Sequence, residues 1–131
     1  MGRGPLGGSP LRYVERSGMK KVAVVGSRSF SDRKLLNKVL DGIGPFHLIS
    51  GGAKGADSMA EVYADAHDYP KTIFLPEWEK YGRSAGFRRN YLIIQEADEV
   101  IAFWDGASKG TKHSIELAQK LGKKMDIHIS G

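Results

Sequence analysis

Short apolar runs of strand length alternate with amphipathic segments of helix length from Met19 to the end of the chain. Periodicity predicts strands at residues 21–25, 47–50, 72–75, 99–104 and 124–129, and helices at 32–40, 56–67, 87–97 and 111–121. Consecutive parallel strands need right-handed helical crossovers, which cover both faces of the sheet. The alternation therefore predicts an α/β fold with a five-stranded parallel sheet in a three-layer sandwich, whose ligands bind beyond the carboxyl ends of the strands.

Residues 1–18 differ from the rest of the chain in composition. They are dense in Gly and Pro, show no apolar periodicity and contain no apolar core of the kind that a secretory signal needs. We expect a flexible leader, either a native extension or an expression scar, followed by one domain at residues 19–131.

Composition excludes several classes of protein. The chain has no cysteine, which rules out disulfide scaffolds, thiolate zinc sites and thiol nucleophiles, and cytoplasm is the expected compartment. The longest apolar runs, 22–26 and 100–104, are far shorter than the ~20 residues that span a bilayer, so no membrane partner is expected. The net charge is +5, and the leader carries part of it, which leaves a weakly basic domain attracted to anions rather than a dedicated duplex-DNA binder.

Glycine-rich and polar segments follow the predicted strands and should converge on one edge of the sheet. Glycines at strand-to-helix turns let the backbone approach a ligand, and free N–H groups at helix starts attract phosphate. The dinucleotide and P-loop fingerprints are both absent from these turns. The predicted ligand-binding and phosphate-binding residues are Gly26, Ser27, Arg28, Gly51, Gly52, Lys54, Gly55, Asp57, Arg88, Arg89, Asn90, Asp105, Gly106, Ser108, Gly110 and Thr111.

Two arginines fall in the predicted first turn of the helix at 87–97. Cations there oppose the helix dipole, so Arg88 or Arg89 is interpreted as a contact to a bound anion. The alternative is that both are solvated or paired with Glu77 or Glu79. The loop at 77–86 before this helix is long enough to act as a lid over the site.

Aromatic and acidic side chains near the same edge have two interpretations each. Trp78 and Trp104 could stack on a base, although Trp104 could equally pack in the core at the end of its strand. Asp57 and Asp105 could accept hydrogen bonds from ribose hydroxyls, or could instead cap a helix and form a turn.

His113 and Glu116 lie three residues apart on one predicted helix. A metal site or an acid–base pair could be drawn there, but no further histidine cluster supports it, and a solvated helix face is the preferred interpretation. No metal ion and no other cofactor is predicted.

An ordered set of motifs identifies a resemblance to a known family. Residues 26–32 (GSRSFSD), 49–57 (ISGGAKGAD), 80–82 with 85–90 (KYG and AGFRRN) and 102–111 (AFWDGASKGT) resemble the YspA-like branch of the SLOG superfamily. The resemblance covers nearly all of residues 19–131 and implies a single Rossmann-like domain that binds a nucleotide or a nucleotide-derived ligand. The superfamily includes LOG-type phosphoribohydrolases, the DNA-processing protein DprA and sensor domains of TRPM channels and anti-phage defence proteins. Members of the YspA-like branch are often found in bacteria and phages.

The resemblance also suggests roles by position. The Gly51, Gly52 and Gly55 loop looks like the first phosphate-facing loop, Gly110 with Thr111 looks like the second, and Arg89 resembles the family arginine. LOG enzymes carry a glutamate soon after the threonine, whereas Glu116 here comes more than one helical turn later.

A homodimer is expected, because related folds often dimerise through helices. Three functions follow as hypotheses. The first is binding of a nucleotide or nucleotide-derived small molecule, as a sensor, sequestering or processing domain. The alternative is a phosphoribohydrolase that releases a base from a nucleoside monophosphate, with Glu116 or Asp57 as catalytic carboxylates and Arg89 on the phosphate. The third is DprA-like binding of single-stranded DNA through basic residues on the same edge, namely Lys54, Arg88, Arg89, Lys109 and Lys112.

Overall fold

The computed structural model describes residues 19–129, and the predicted leader at 1–18 lies outside them. The described strands are β1 (Lys21–Gly26), β2 (His47–Ser50), β3 (Lys71–Ile73), β4 (Glu99–Trp104) and β5 (Lys124–Ile129). The described helices are α1 (Arg33–Asp41), α2 (Ala56–Ala66), α3 (Trp78–Tyr81), α4 (Ala85–Glu96) and α5 (Lys109–Lys120), with a 3₁₀ turn at Gly82–Ser84. Within this part of the chain, no helix has the length and apolar character needed to cross a bilayer.

The strands form one parallel sheet in the order β3-β2-β1-β4-β5. The chain builds outward from β1 through β2 to β3, then crosses to the other side of β1 to form β4 and β5. The prediction of an α/β fold with a five-stranded parallel sheet is therefore confirmed. The two crossover directions diverge between β1 and β4, and a crevice opens at such a switch point beyond the carboxyl ends of the strands.

The core lies on both faces of the sheet, as near-continuous apolar strands predict. Alternate residues of β1 point to opposite faces: Val22 and Val24 pack with α1 and α2, and Ala23 and Val25 pack with α4 and α5. Asp32 caps the start of α1, because its carboxylate accepts a hydrogen bond from the backbone N–H of Leu35 (3.1 Å).

The segment 77–86, predicted as a loop, is largely helical. α3 and the 3₁₀ turn occupy most of it, and α4 starts at Ala85, two residues earlier than predicted. Local backbone hydrogen bonds explain the difference, since the N–H of Tyr81 donates to the carbonyl of Glu77 (3.0 Å). The start of α5 also lies earlier than predicted, at Lys109, so Gly110 and Thr111 belong to its first turn.

Two glycines bring the turn after β1 against the start of α2. A Cβ on Gly26 would lie 2.5 Å from the Cβ of Ala56 and 2.7 Å from the carbonyl oxygen of Phe103. Gly55 has a φ of +78°, and a Cβ there would lie 2.6 Å from the carbonyl oxygen of Arg28. These contacts hold the β1–α1 loop and the first turn of α2 together at the switch point.

The contact at Gly55 predicts a large loss of stability in Gly55→Ala. We expect a loss of about 3 kcal/mol or more in the free energy of unfolding, because the left-handed backbone and the backbone clash both act against the methyl group. Gly122→Ala is the matched control, since Gly122 has a φ of +67° and no heavy atom within 4 Å of its virtual Cβ. It should lose only about 1 kcal/mol. Urea denaturation of both variants measures the difference, and equal losses would contradict the close contact.

Candidate functional site

A polar cavity of about 450 Å³ lies at the carboxyl ends of β1 and β4. Its volume falls in the range of roughly 300–1,000 Å³ that is usual for small-molecule sites. The β1–α1 loop, the loop before α2, one face of α4 and the segment entering α5 form its walls. The cavity brings together ten of the predicted site residues: Gly26, Ser27, Arg28, Asp57, Arg89, Asn90, Asp105, Ser108, Gly110 and Thr111.

The remaining predicted site residues lie outside the lining of this cavity. They are Gly51, Gly52, Lys54, Gly55, Arg88, Gly106, Trp78, Trp104 and Glu116. Gly51 and Gly55 act behind the wall: the Gly51 carbonyl accepts a hydrogen bond from Arg89, and Gly55 carries the close backbone contact described above. These two glycines shape the wall of the cavity.

Five lining residues were missed by the sequence analysis: Val25, Ser29, Ala53, Ile93 and Ser114. Helical spacing could have identified two of them. Ser114 lies one turn beyond Thr111 on α5, and Ile93 lies one turn beyond Arg89 on α4, so each shares a helix face with a predicted residue.

The carboxylate of Asp57 organises the loop between β2 and α2. Its Oδ2 accepts hydrogen bonds from the backbone N–H groups of Gly51 and Ala53, both at 3.2 Å. Burial raises the pKa of Asp57 from 3.8 to about 6, although these hydrogen bonds and the nearby charge of Arg89 act in the opposite direction. Both bonds use Oδ2, which leaves Oδ1 for a hydrogen-bond donor on a ligand.

Arg89 joins α4 to the same loop from the other side. Its Nη1 donates to the carbonyl of Gly51 (2.7 Å), and its Nε donates to Oδ1 of Asn90 (3.1 Å). Burial lowers the pKa of Arg89, while the charge of Asp57 raises it. A guanidinium remains protonated at neutral pH, so Arg89 places a half-buried cation beside the cavity.

The predicted placement of the arginine pair in a first helical turn is wrong. Because α4 begins at Ala85, Arg88 and Arg89 are its fourth and fifth residues, beyond the turn where the helix dipole opposes a cation. The two arginines lie on different faces of α4. Arg89 lines the cavity together with Asn90 and Ile93. Arg88 is exposed and rests on the ring of Tyr81, 4.1 Å from the centroid.

The wall formed by β4 and the following turn is held by two polar side chains. The buried Ser27 hydroxyl accepts a hydrogen bond from the backbone N–H of Asp105 (3.1 Å). Oδ1 of Asp105 accepts from the N–H groups of Ser108 (2.7 Å) and Ala107 (2.8 Å), and these bonds lower the pKa of Asp105. Asp105 was predicted either to bind ribose hydroxyls or to form a turn, and these hydrogen bonds are those of a turn.

The first turn of α5 presents hydroxyl groups to the cavity. Thr111 and Ser114 are both buried and both line the cavity, and the Ser108 hydroxyl lies 3.3 Å from that of Thr111. The first turn of α5 contains no acidic residue, and no side chain caps its free N–H groups within the described chain. This end of the helix suits an anion.

Three other predicted residues lie apart from the cavity. Trp104 is half-buried, packs against the core and donates from Nε1 to the carbonyl of Ser108 (3.1 Å), so it braces the turn before α5. Trp78 is 56% exposed on α3. Glu116 is exposed on a face of α5 that does not line the cavity.

His113 interacts with α4 rather than with Glu116 in a metal site. Its Nδ1 lies 3.3 Å from Nδ2 of Asn90, and burial lowers the pKa of His113. In residues 19–129, no group of three or more His, Cys, Asp or Glu side chains is placed to hold a metal ion.

Comparisons with known proteins identify a family, a phage relative and related solved structures. The model of the YspA, cpYpsA-related SLOG family matches residues 20–81. The Gene 61 protein of Mycobacterium phage D29 is 33% identical over 115 residues, an alignment that covers 79% of this chain and 92% of the phage protein.

Two of the related structures are of DNA processing protein A. The protein from Streptococcus pneumoniae gives a TM-score of 0.74 at 22% identity, over 90% of this chain and 53% of that one, so this chain spans about half its length. The Helicobacter pylori protein, described as binding single-stranded DNA, gives a TM-score of 0.68 at 21% identity, over 86% of this chain and 67% of that one. At these identities the likeness shows the fold.

Burial of Asp57 predicts a specific dependence of stability on pH. Between pH 3.8 and about 6 the folded protein retains the Asp57 proton that the unfolded chain releases, so rising pH through this window lowers stability. The contribution is on the order of 3 kcal/mol. Asp57→Asn preserves an oxygen acceptor for the Gly51 and Ala53 N–H groups and removes the charge.

The free energy of unfolding, measured by urea denaturation from pH 4 to 7, should therefore fall more steeply in the wild type than in Asp57→Asn. Other titrating groups cancel in the difference between the two proteins. A difference that does not change with pH would contradict the buried, loop-bound carboxylate.

Proposed function

The chain belongs to the YspA, cpYpsA-related SLOG family, and from the geometry of its cavity we propose that it binds a nucleotide or nucleotide-derived small molecule. The observation that carries this proposal is the cavity at the switch point, which combines two arginines, an uncapped helix start and a buried carboxylate. Such convergent polar groups in one well-formed pocket are the usual signature of a ligand site.

Support for a phosphate group comes from the Arg28, Arg89 and α5 side of the cavity. Guanidinium groups bind phosphate with charge-assisted and often bidentate hydrogen bonds. The free backbone N–H groups around Gly110 and Thr111 attract the same anion, and the hydroxyls of Thr111 and Ser114 add donors without adding charge.

Support for a sugar comes from the carboxylate of Asp57, which lies near Arg89 in the same cavity. Oδ1 of Asp57 can accept hydrogen bonds from ribose hydroxyls. Val25 and Ile93 supply an apolar part of the wall beside these polar groups. A carboxylate near a guanidinium suits a nucleotide, in which the ribose hydroxyls and the phosphate belong to one sugar phosphate unit.

The primary test is retention of ligand from a mixture. The full chain is incubated near stoichiometric concentration with a pool of nucleotides, cyclic nucleotides and ADP-ribose compounds, then filtered, and both fractions are analysed by chromatography with mass detection. A compound retained intact supports a binding or sequestering domain. If no compound is retained and none is changed, the proposal is overturned.

Free base and ribose phosphate in the same experiment would instead support the phosphoribohydrolase. Asp57 is then the carboxylate to substitute first, because it lines the cavity and Glu116 does not. Asp57→Asn should abolish release of base while retaining the nucleotide, since the uncharged amide cannot stabilise a cationic sugar centre.

Arg28 provides a test of the cationic side. Its side chain is exposed and lines the cavity, so Arg28→Ala should leave folding intact and weaken binding of a phosphate-bearing ligand by about tenfold or more. Arg83→Ala is the control for net charge, because Arg83 is exposed in the 3₁₀ turn outside the cavity. Calorimetry with the retained compound measures both. Equal effects of the two substitutions would contradict a direct contact at Arg28.

Binding of single-stranded DNA is a second candidate, favoured by a group of exposed cations around the cavity. These cations are Lys54, Arg88, Lys109 and Lys112. Each is adjacent in sequence to a residue that lines the cavity. A related fold, that of the Helicobacter pylori protein, is described as binding single-stranded DNA.

This candidate predicts binding of oligothymidylate that weakens steeply with salt. The logarithm of affinity should fall linearly with the logarithm of salt concentration, by about 0.7 for each phosphate contact. Lys109→Ala combined with Lys112→Ala should flatten the slope, and Lys120→Ala, at the other end of α5, should not. No gel shift at low salt, or a slope insensitive to the double substitution, would reject the candidate.

A further inference from the structure

A second depression of about 340 Å³ adjoins the cavity on the outer side of the β1–α1 loop. We name it the outer groove. It lies between the loop at 28–33 and the α2 face that includes Gly55, Ser58, Met59 and Val62. Arg28 and Ser29 line both the cavity and the outer groove, so the two spaces share one wall.

The outer groove carries positive charge. Arg28 and Arg33 both line it, and its lining includes no carboxylate. Arg33 is the first residue of α1 and follows Asp32, whose carboxylate caps the helix and does not line the groove. Among the ion pairs formed within residues 19–129, none includes Arg28 or Arg33. This combination suits a phosphate.

An apolar surface lies next to this charge. Val62 is 59% exposed on α2, Met59 is half-buried beside it, and the buried ring of Phe30 also contributes to the groove. The exposed Val62 adds little to the core. Together with Met59 it offers an apolar surface on which a nucleobase can lie, next to the two guanidinium groups.

We propose that the ligand contains two nucleoside phosphate units, with the first unit in the cavity and the second in the outer groove. The phosphate that links them lies at Arg28, the residue common to both spaces, and the base of the second unit packs on Met59 and Val62. Arg33 contacts the same linking phosphate from the side of the outer groove. This inference rests on the proposed function, because it assigns the first unit to the cavity.

The test is calorimetry with 5′-mononucleotides and the matching linear dinucleotides, such as AMP and pApA, for each of the four bases. The dinucleotide of the preferred base should bind the wild-type chain about tenfold or more tightly than its mononucleotide. Arg33→Ala should abolish that advantage and leave affinity for the mononucleotide unchanged. Lys34→Ala is the matched control, since Lys34 is the exposed neighbour of Arg33 and does not line the groove.

A second variant tests the apolar surface of the outer groove. Val62→Asp adds a negative charge at an exposed position, so the chain should fold while losing the same advantage for the dinucleotide. The tetranucleotide pApApApA should bind no more tightly than pApA, because the site holds two units. A continued gain in affinity with each added nucleotide would overturn the two-unit site and indicate a longer polynucleotide track.

The remaining outcomes separate the two proposals. Mononucleotide binding without any dinucleotide advantage overturns the outer groove and leaves the proposed function intact. Equal losses in Arg33→Ala and Lys34→Ala also overturn it, because they would reflect net charge alone. If neither a mononucleotide nor a dinucleotide binds, the two-unit ligand is overturned, and the retention experiment with the full pool decides the proposed function.

Discussion

A buried carboxylate, Asp57, accepts hydrogen bonds from the two backbone N–H groups that would otherwise be left without partners in the turn after β2. Arg89 reaches the same turn from α4 through the Gly51 carbonyl, so one turn is tied to two helices. Burial disfavours the charged form of Asp57 and raises its pKa to about 6. The effect of these hydrogen bonds is to position a cation, Arg89, and a carboxylate, Asp57, at one cavity.

The two arginines of the cavity are positioned by different physical means. Arg89 is ordered by its hydrogen bonds to Gly51 and Asn90 before any ligand arrives, which reduces the entropy lost on binding. Arg28 is exposed, but its backbone is held by the contact between its carbonyl and Gly55. The site thus combines one preordered cation with one that can adjust to a ligand.

The outer groove follows from the same close contact. Because Gly55 lacks a side chain, the β1–α1 loop can pack against the first turn of α2, and this places Arg28 between the cavity and the groove. Two neighbouring spaces that share a cation can hold two linked phosphate units. A bulkier residue at position 55 would push the β1–α1 loop away from α2 and so separate the cavity from the outer groove.

The sequence by itself determined the alternation of strands and helices, the parallel sheet, and the bounds of all helices except α3 to within two residues, while the order of the strands in the sheet came from the tertiary structure. Apolar periodicity and glycine positions are local signals, and they are set by the same backbone geometry that defines the elements. It also identified ten residues that line the cavity, because the carboxyl ends of parallel strands must meet at one edge. Only the tertiary structure decided that Arg89 and not Arg88 faces the cavity, that Trp104 braces a turn, and that Glu116 lies outside. The outcomes for Arg89 and Glu116 depend on the rotation of α4 and α5 about their axes, which is set by packing between elements distant in the chain, and that of Trp104 depends on the turn that follows β4.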